Sequence, residues 1–315
     1  MSTLSLLGIL AIITIIIAIF HGYRVYVGLR KIRGELAHFN YVEEYDSYLD
    51  AQPKFYIAQP KRPYAVLLLH GFSASSQVYS TLFEPLEQAQ INYYAVTYTG
   101  YGSRSPSLLE HVRYTDWLRD TINAYDLLAQ TAEKVHVVGM SLGAAFAVML
   151  SQYRPVNKLI LLSPALFLES QLKWLVYIGD VPVIRRIVHW FYPFYTKRIC
   201  VDQTGKTGKL ELCSIESLIH TFHHSTIPIE ATRAVDKAIR HVNIRLARFK
   251  SLVIFYGKKD RVIDTNDLFQ LLDKNHIQYT SFSYENSSHV LTLDYDSEQV
   301  VNDLIKILQE PSPAK

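Results

Sequence analysis

The sequence predicts an α/β fold: a mostly parallel sheet with helices on both faces and a helical cap inserted late in the chain. Three observations carry this expectation. Short apolar runs alternate with stretches of helical length from residue 65 onward, an interval of about ninety residues breaks that alternation, and an uncharged apolar segment near the start belongs to neither pattern. With 315 residues, 49% of them hydrophobic, the chain can bury one large α/β core, which argues against disorder. The formal net charge of +3 is scattered along the sequence, which sets nucleic acid aside as a partner.

Leu4 to Phe20 carries no charge and is dominated by Leu and Ile. As a helix, the first twenty residues span about 30 Å, the thickness of a bilayer's hydrocarbon core. No Lys or Arg precedes the run and no Ala-x-Ala-like site follows it, so a membrane anchor over residues 1–23 is expected rather than a signal peptide. Arg24, Arg30, Lys31 and Arg33 flank it on one side only, and the positive-inside rule then leaves the bulk of the chain in the cytoplasm. Tyr23 and Tyr26 fall at headgroup level. The two cysteines, Cys200 and Cys213, are no disulfide framework and fit a reducing compartment. Residues 24–60 read as a juxtamembrane tether passing into a hairpin or edge strands, with Pro53 and Pro60 as breakers.

Beyond the tether come the runs Ala65–Leu69, Tyr93–Thr97, Val135–Val138, Leu159–Leu162, Leu252–Tyr256 and Tyr279–Tyr284. Continuous apolar runs of this length fit strands buried on both faces of a parallel sheet. Helices are expected at Thr115–Gln130, Leu142–Tyr153, Asn266–Lys274 and Ser297–Leu308. Residues 61–164 and 250–315 thus form the core. Residues 165–249 form the cap, inserted at one sheet edge and ending in a long amphipathic helix over Ala231–Arg248.

The chemistry gathers at strand ends. Gly139-Met140-Ser141-Leu142-Gly143 joins the Val135–Val138 strand to a helix, the strand–turn–helix setting that a Gly-x-Ser-x-Gly nucleophile requires. The turn is tight enough that side chains two residues either side of Ser141 would collide. A serine hydroxyl needs a base. Of twelve histidines, His289 lies in the loop after the last strand, where it can reach over the strand ends. Asp260, four residues past the Leu252–Tyr256 strand, is the carboxylate to orient it, while Asp264 reads as the N-cap of the next helix. Backbone N–H groups of Phe72 and Leu142 are the expected oxyanion donors, because Gly71 permits a turn after the first long strand.

Together these residues resemble the bacterial carboxylesterase and monoacylglycerol lipase branch of the α/β-hydrolase superfamily, from about Pro60 to Leu308. The carrying motifs are Leu68-Leu69-His70-Gly71-Phe72, Gly100-Tyr101-Gly102, Gly139–Gly143, Gly257–Asp260 and Ser288-His289-Val290-Leu291-Thr292-Leu293-Asp294. The resemblance implies an α/β-hydrolase fold and cofactor-free hydrolysis of short-chain or monoacylglycerol esters under a movable cap. The chain departs from that pattern in its longer, more aromatic cap and its membrane segment. A thioesterase or acyltransferase with the same triad is the alternative enzyme, and a membrane-tethered interaction module is the non-enzymatic one.

Other features carry less. His136 lies within a strand and reads as a packed residue. His220, His223 and His224 share helical spacing without a partnered carboxylate pattern, so a solvated cap face is expected there and no metal site. Gly205-Lys206-Thr207 lacks the first glycine of a phosphate loop, and a glycan on the Asn286-Ser287-Ser288 sequon would crowd His289. In the cap, Trp174, Tyr177, Trp190, Phe191, Phe194 and Tyr195 either form a small core or offer substrate an apolar wall or a face to the bilayer.

Overall fold

The computed structural model describes residues 3–37, 39–43, 47–58, 61–103, 108–167, 181–196, 221–263 and 265–311. A first helix, α1 (Thr3–Leu36), precedes a short antiparallel pair, β1 (Tyr41–Val42) and β2 (Ser47–Tyr48), in which Tyr41 opposes Tyr48. The core then unfolds in order: β3 (Lys54–Tyr56), β4 (Arg62–Leu69), α2 (Ser80–Gln88), β5 (Asn92–Ala95), α3 (Leu108–His111), α4 (Tyr114–Leu128), β6 (Ala132–Met140), α5 (Leu142–Tyr153) and β7 (Val156–Leu162). The insertion contributes α6 (Pro182–Phe191), β8 (Phe194–Thr196), β9 (Thr226–Pro228) and α7 (Ile229–His241). The core resumes with β10 (Phe249–Gly257), α8 (Thr265–Lys274), β11 (Thr280–Tyr284) and α9 (Ser297–Gln309).

Among the described residues, seven strands form one sheet in the order β11-β10-β7-β6-β4-β5-β3, and every pairing is parallel except β3 with β5. The continuous apolar runs have the expected cause. Ala65, Leu67 and Leu69 face a core shared with α4, α5 and α8, while Val66 and Leu68 face the opposite core with α2 and α9. Both faces are covered, so in β4 both sets of alternating positions from Ala65 to Leu69 are apolar and buried. Helix α5 is buried from Leu142 to Ser151, and Ala144, Ala145 and Ala147 let it sit close to the sheet.

Three expectations are corrected. The cap is not inserted at a sheet edge. It leaves β7 and returns as β10, its neighbour, with β11 outside them. The helix expected over Ala231–Arg248 stops at His241. The Asn243 side chain accepts the Arg245 N–H at 3.1 Å, and this local bond competes with helix continuation, giving a separate 3₁₀ turn at Ile244–Leu246. Helix α1 does not end with the apolar run but continues to Leu36, because Ile32 and Leu36 bury against Tyr48, Ala51 and Phe222.

One polar cluster lies inside the sheet. His136 on β6 is buried, with its Nδ1 3.3 Å from the Asn157 amide nitrogen. Lys158, also buried, donates to the carbonyl oxygens of Ile307 and Glu310, which the last turn of α9 leaves without helical partners. Burial first, then the charges of Lys158 and Lys134, lower the His136 pKa to about 3. The folded chain therefore refuses a proton there that the unfolded chain accepts near pH 6.5, so this residue makes stability fall as pH drops from 6.5 towards 3. The slope is roughly 1.4 kcal/mol per pH unit. His136→Gln should remove that slope. In urea unfolding between pH 6.5 and 4.5, the wild-type advantage over the variant should shrink with acidification, and parallel pH profiles would refute the assignment.

Candidate active site

The site is built where β4, β6, β7 and β10 end. Strand β6 hands over to α5 through Ser141, whose backbone lies at φ 53 and ψ −117, a region that non-glycine residues seldom occupy. Crowding explains the flanking glycines. A Cβ on Gly139 would come within 2.5 Å of the Gly143 carbonyl oxygen, and one on Gly143 within 2.0 Å of the Leu69 oxygen. Three backbone bonds hold the turn: Ser141 N–H to Leu162 O at 2.9 Å, Ala144 N–H to Ser141 O at 3.0 Å, and Ala165 N–H to Ser141 O at 3.2 Å. The serine side chain is thereby raised above the sheet, half-buried.

His289 meets it. The imidazole Nε2 is 2.8 Å from Ser141 Oγ, and Nδ1 is 2.8 Å from Asp260 Oδ2. Both side chains are almost fully buried, 5% exposed for His289 and 2% for Asp260. The second Asp260 oxygen accepts the N–H groups of Val262 at 2.8 Å and Ile263 at 3.3 Å, which fixes the carboxylate plane. At Gly257, which ends β10, a Cβ would stand 2.2 Å from the Ser288 carbonyl oxygen, so only glycine lets the histidine loop lie this close. Buried Asp294 then accepts the Ser288 N–H at 2.7 Å. That bond gives the Ser288–Asp294 motif a mechanical reason that its spacing alone did not reveal.

Opposite the histidine, the turn after β4 abuts the elbow. A Cβ on Gly71 would come within 3.0 Å of the Ser141 Cβ. His70 is fully buried, and the Tyr98 N–H donates to its Nε2 at 3.2 Å, so the ring proton sits on Nδ1, which donates to the Gly71 carbonyl at 2.8 Å. Burial lowers the His70 pKa to about 4, in keeping with a neutral ring. In a trans peptide the C=O and the next N–H point opposite ways. Holding the Gly71 carbonyl towards His70 therefore turns the Phe72 N–H away from that ring.

The cap contributes a second buried histidine, which corrects the expectation of a solvated face. Residues 221–225 are irregular rather than helical, so helical spacing does not apply to His223 and His224. The His224 backbone N–H donates to Ser73 O at 2.7 Å, and its Nε2 accepts the Gly102 N–H at 3.3 Å. Burial lowers its pKa to about 4, with the neighbouring His223 and His70 adding to the effect. Ser73 itself lies at φ 67, held through its N–H by the Tyr101 hydroxyl at 3.4 Å. Sequence reasoning missed both buried histidines. The His70-Gly71 and Gly100–Gly102 motifs, read together, were the available signal.

Of the cap aromatics, Trp190 and Phe194 meet α1. The Trp190 ring is 5.0 Å from that of His21, and Phe194 lies so close to Gly28 that a Cβ there would come within 2.2 Å of its ring. Trp174, Tyr177, Asp264 and His220 lie outside the described residues.

Comparison with known proteins identifies relatives of the chain. A 25% identical relative, a carboxylesterase of Bacillus subtilis (strain 168), aligns over 78% of this chain and 92% of its own length. A thermostable monoacylglycerol lipase of Bacillus sp. (strain H-257) is 21% identical over 82% of this chain and 94% of its own. Among solved structures, a soluble variant of monoglyceride lipase from Saccharomyces cerevisiae superposes with a TM-score of 0.63 at 14% identity, over 83% of this chain and 92% of that one. The Paleococcus ferrophilus monoacylglycerol lipase gives 0.59 at 17% identity, over 81% and 98%. Such structural likenesses speak for the fold. The family profile described as serine aminopeptidase, S33, matches residues 60–296, and the chain therefore belongs to this hydrolase family, on the α/β-hydrolase fold.

Proposed function

We propose that the chain is a serine ester hydrolase acting through an acyl-enzyme on monoacylglycerol-type or short-chain esters. The observation that carries this reading is the unbroken relay from Ser141 Oγ through His289 to Asp260, with both contacts at 2.8 Å. His289 Nε2 takes the hydroxyl proton as Oγ attacks the ester carbonyl carbon. Asp260 stabilises the imidazolium and keeps its Nδ1–H in place. The carbonyl oxygen becomes an oxyanion, for which the Phe72 and Leu142 N–H groups are the candidate donors, each contributing roughly 3 kcal/mol to the transition state. Leu142 begins α5, where backbone N–H groups lack helical acceptors. Collapse breaks the bond to the leaving alcohol, which receives the proton from His289. Water, deprotonated by the same ring, then releases the acid and restores Ser141.

The carboxylesterase and monoacylglycerol lipase relatives support an ester substrate. We further infer that α1 tethers the domain to a membrane through Leu4–Phe20, with the catalytic domain cytoplasmic. Its apolar residues are exposed in the structure, Ile12 at 59% and Ile16 at 59%, which suits a lipid environment better than water.

Ser141→Ala should abolish labelling by a fluorophosphonate probe and ester turnover while leaving the melting temperature nearly unchanged. Persistent labelling would move the nucleophile elsewhere. Asp260→Asn should lower kcat by roughly four orders of magnitude, since the wrong histidine tautomer is then held. Retained activity in a stopped assay with p-nitrophenyl butyrate would refute its role. For the tether, alkaline carbonate should leave the chain in the membrane pellet, and protease added outside intact cells should leave it whole. Extraction, or external cleavage, would count against the span or its orientation.

A further inference from the structure

Helix α6 is exposed along nearly all of its described length, its apolar residues included. Val183, Ile184, Ile187 and Val188 recur at the spacing of one helical stripe, and they are 68%, 36%, 52% and 36% exposed. A helix that served only the cap's own core would turn such a stripe inward. A contiguous apolar patch of this kind marks a surface that meets something other than water.

Position says what it meets. The end of α6 packs on α1 at one level: the Phe20 and Phe191 rings are 6.0 Å apart, His21 Nδ1 is 2.7 Å from the Trp190 carbonyl oxygen, and the Arg24 guanidinium lies 5.1 Å from the Tyr192 ring centre. Phe20 is the last residue of the uncharged run and Arg24 is the first charge after it. In a spanning helix that junction is the depth of the lipid headgroups. Charge points the same way. Residues 1–34 and 181–196 hold no Asp or Glu, while Arg24, Arg30, Lys31, Arg33, Arg185 and Arg186 fall within them. Basic residues beside an apolar helical face fit an anionic leaflet.

We propose that α6 lies in the headgroup–acyl boundary of the leaflet beside α1, so that the cap rests on an anionic phospholipid surface. The proposal rests on the reading of α1 as a membrane span. Where that holds, the cap and the anchor form one lipid-facing shelf, and a monoacyl substrate in the leaflet is already against the cap.

The test uses the full chain with Cys200 and Cys213 replaced by Ser, carrying a single nitrobenzoxadiazole-labelled cysteine at Ile16, Ile187 or Leu127. The protein is reconstituted in phosphatidylcholine vesicles with and without phosphatidylglycerol, and spin-labelled lipids serve as quenchers. Leu127 is 54% exposed on α4, which leads into the start of β6 at the end of the sheet away from the elbow. The label at Ile187 should be quenched by shallow spin labels about fivefold more than that at Leu127, and more so with phosphatidylglycerol, as expected for a helix buried about 5–10 Å. The label at Ile16 should be quenched by deep spin labels. An Ile16 label quenched beside an Ile187 label as wet as Leu127 would overturn the shelf and leave the span intact. An unquenched Ile16 label would remove the span and the shelf with it. An Ile187 label that is blue-shifted yet insensitive to lipid quenchers would show a second copy of the chain on the stripe, and would equally overturn the proposal. Val183→Asp with Ile187→Asp should lower turnover of vesicle-borne monoacylglycerol about fivefold while sparing soluble p-nitrophenyl butyrate. Equal loss on both substrates would also count against it.

Discussion

Helix α5 begins closer to β4 than any side chain would allow, and the neighbouring structure accommodates that approach. At Gly143 the Leu69 carbonyl occupies the space of a Cβ, and at Gly139 the Gly143 carbonyl does the same. The chain can turn from strand to helix in so little room only by placing Ser141 at a positive φ. Such a conformation is unfavourable on its own and persists because the surroundings over-determine it. Leu162 accepts its N–H, its carbonyl receives two further N–H groups, and a helix buried from Leu142 to Ser151 is fixed on one side. A hydroxyl held this firmly can be met by a histidine from a loop some 150 positions later without either partner having to search.

His70 and His224 are both buried and both neutral, each accepting one backbone N–H through Nε2. They brace the same stretch of backbone from opposite ends, one through the Gly71 carbonyl and the other through Ser73. Two residues before His224, Phe222 packs against Ile32 and Leu36 of α1. Its backbone meets Ser75 and Gln77 at 3.4 and 2.8 Å. The N-terminal helix, residues 222–224 of the cap and the turn beside Ser141 are thus linked through residues that are distant in sequence.

Much of this was legible in the sequence. The apolar runs of the inner strands are continuous because both sheet faces are covered there, while the edge strand β11 keeps exposed polar residues at Thr280, Ser281 and Ser283. The juxtaposition of Ser141, Asp260 and His289 was legible because each stands at a defined offset from the end of a strand. The remainder depended on distant contacts. Helical spacing does not describe His224 because the chain is irregular there. Helix α1 outlasts its apolar run because Tyr48, Ala51 and the distant Phe222 cover Ile32 and Leu36. The reason for Asp294 includes a hydrogen bond across a loop to the Ser288 N–H, which no pattern of residue types encodes.

Glu35 stands near the end of α1, and its two carboxylate oxygens accept from Thr226, one from the backbone N–H at 3.2 Å and the other from the hydroxyl at 2.9 Å. With Phe194 seated on Gly28, and with Ile32 and Leu36 buried, the last turns of the helix are pinned to the body of the protein at several points. A protein on a slack leash tumbles and presents its opening to the membrane for a fraction of the time. A protein on a stiff stem keeps one azimuth and one tilt. On the reading of α1 as a span, encounter with substrate then becomes a search in two dimensions by lateral diffusion, and its rate is set by the fluidity of the leaflet rather than by rotation of the enzyme.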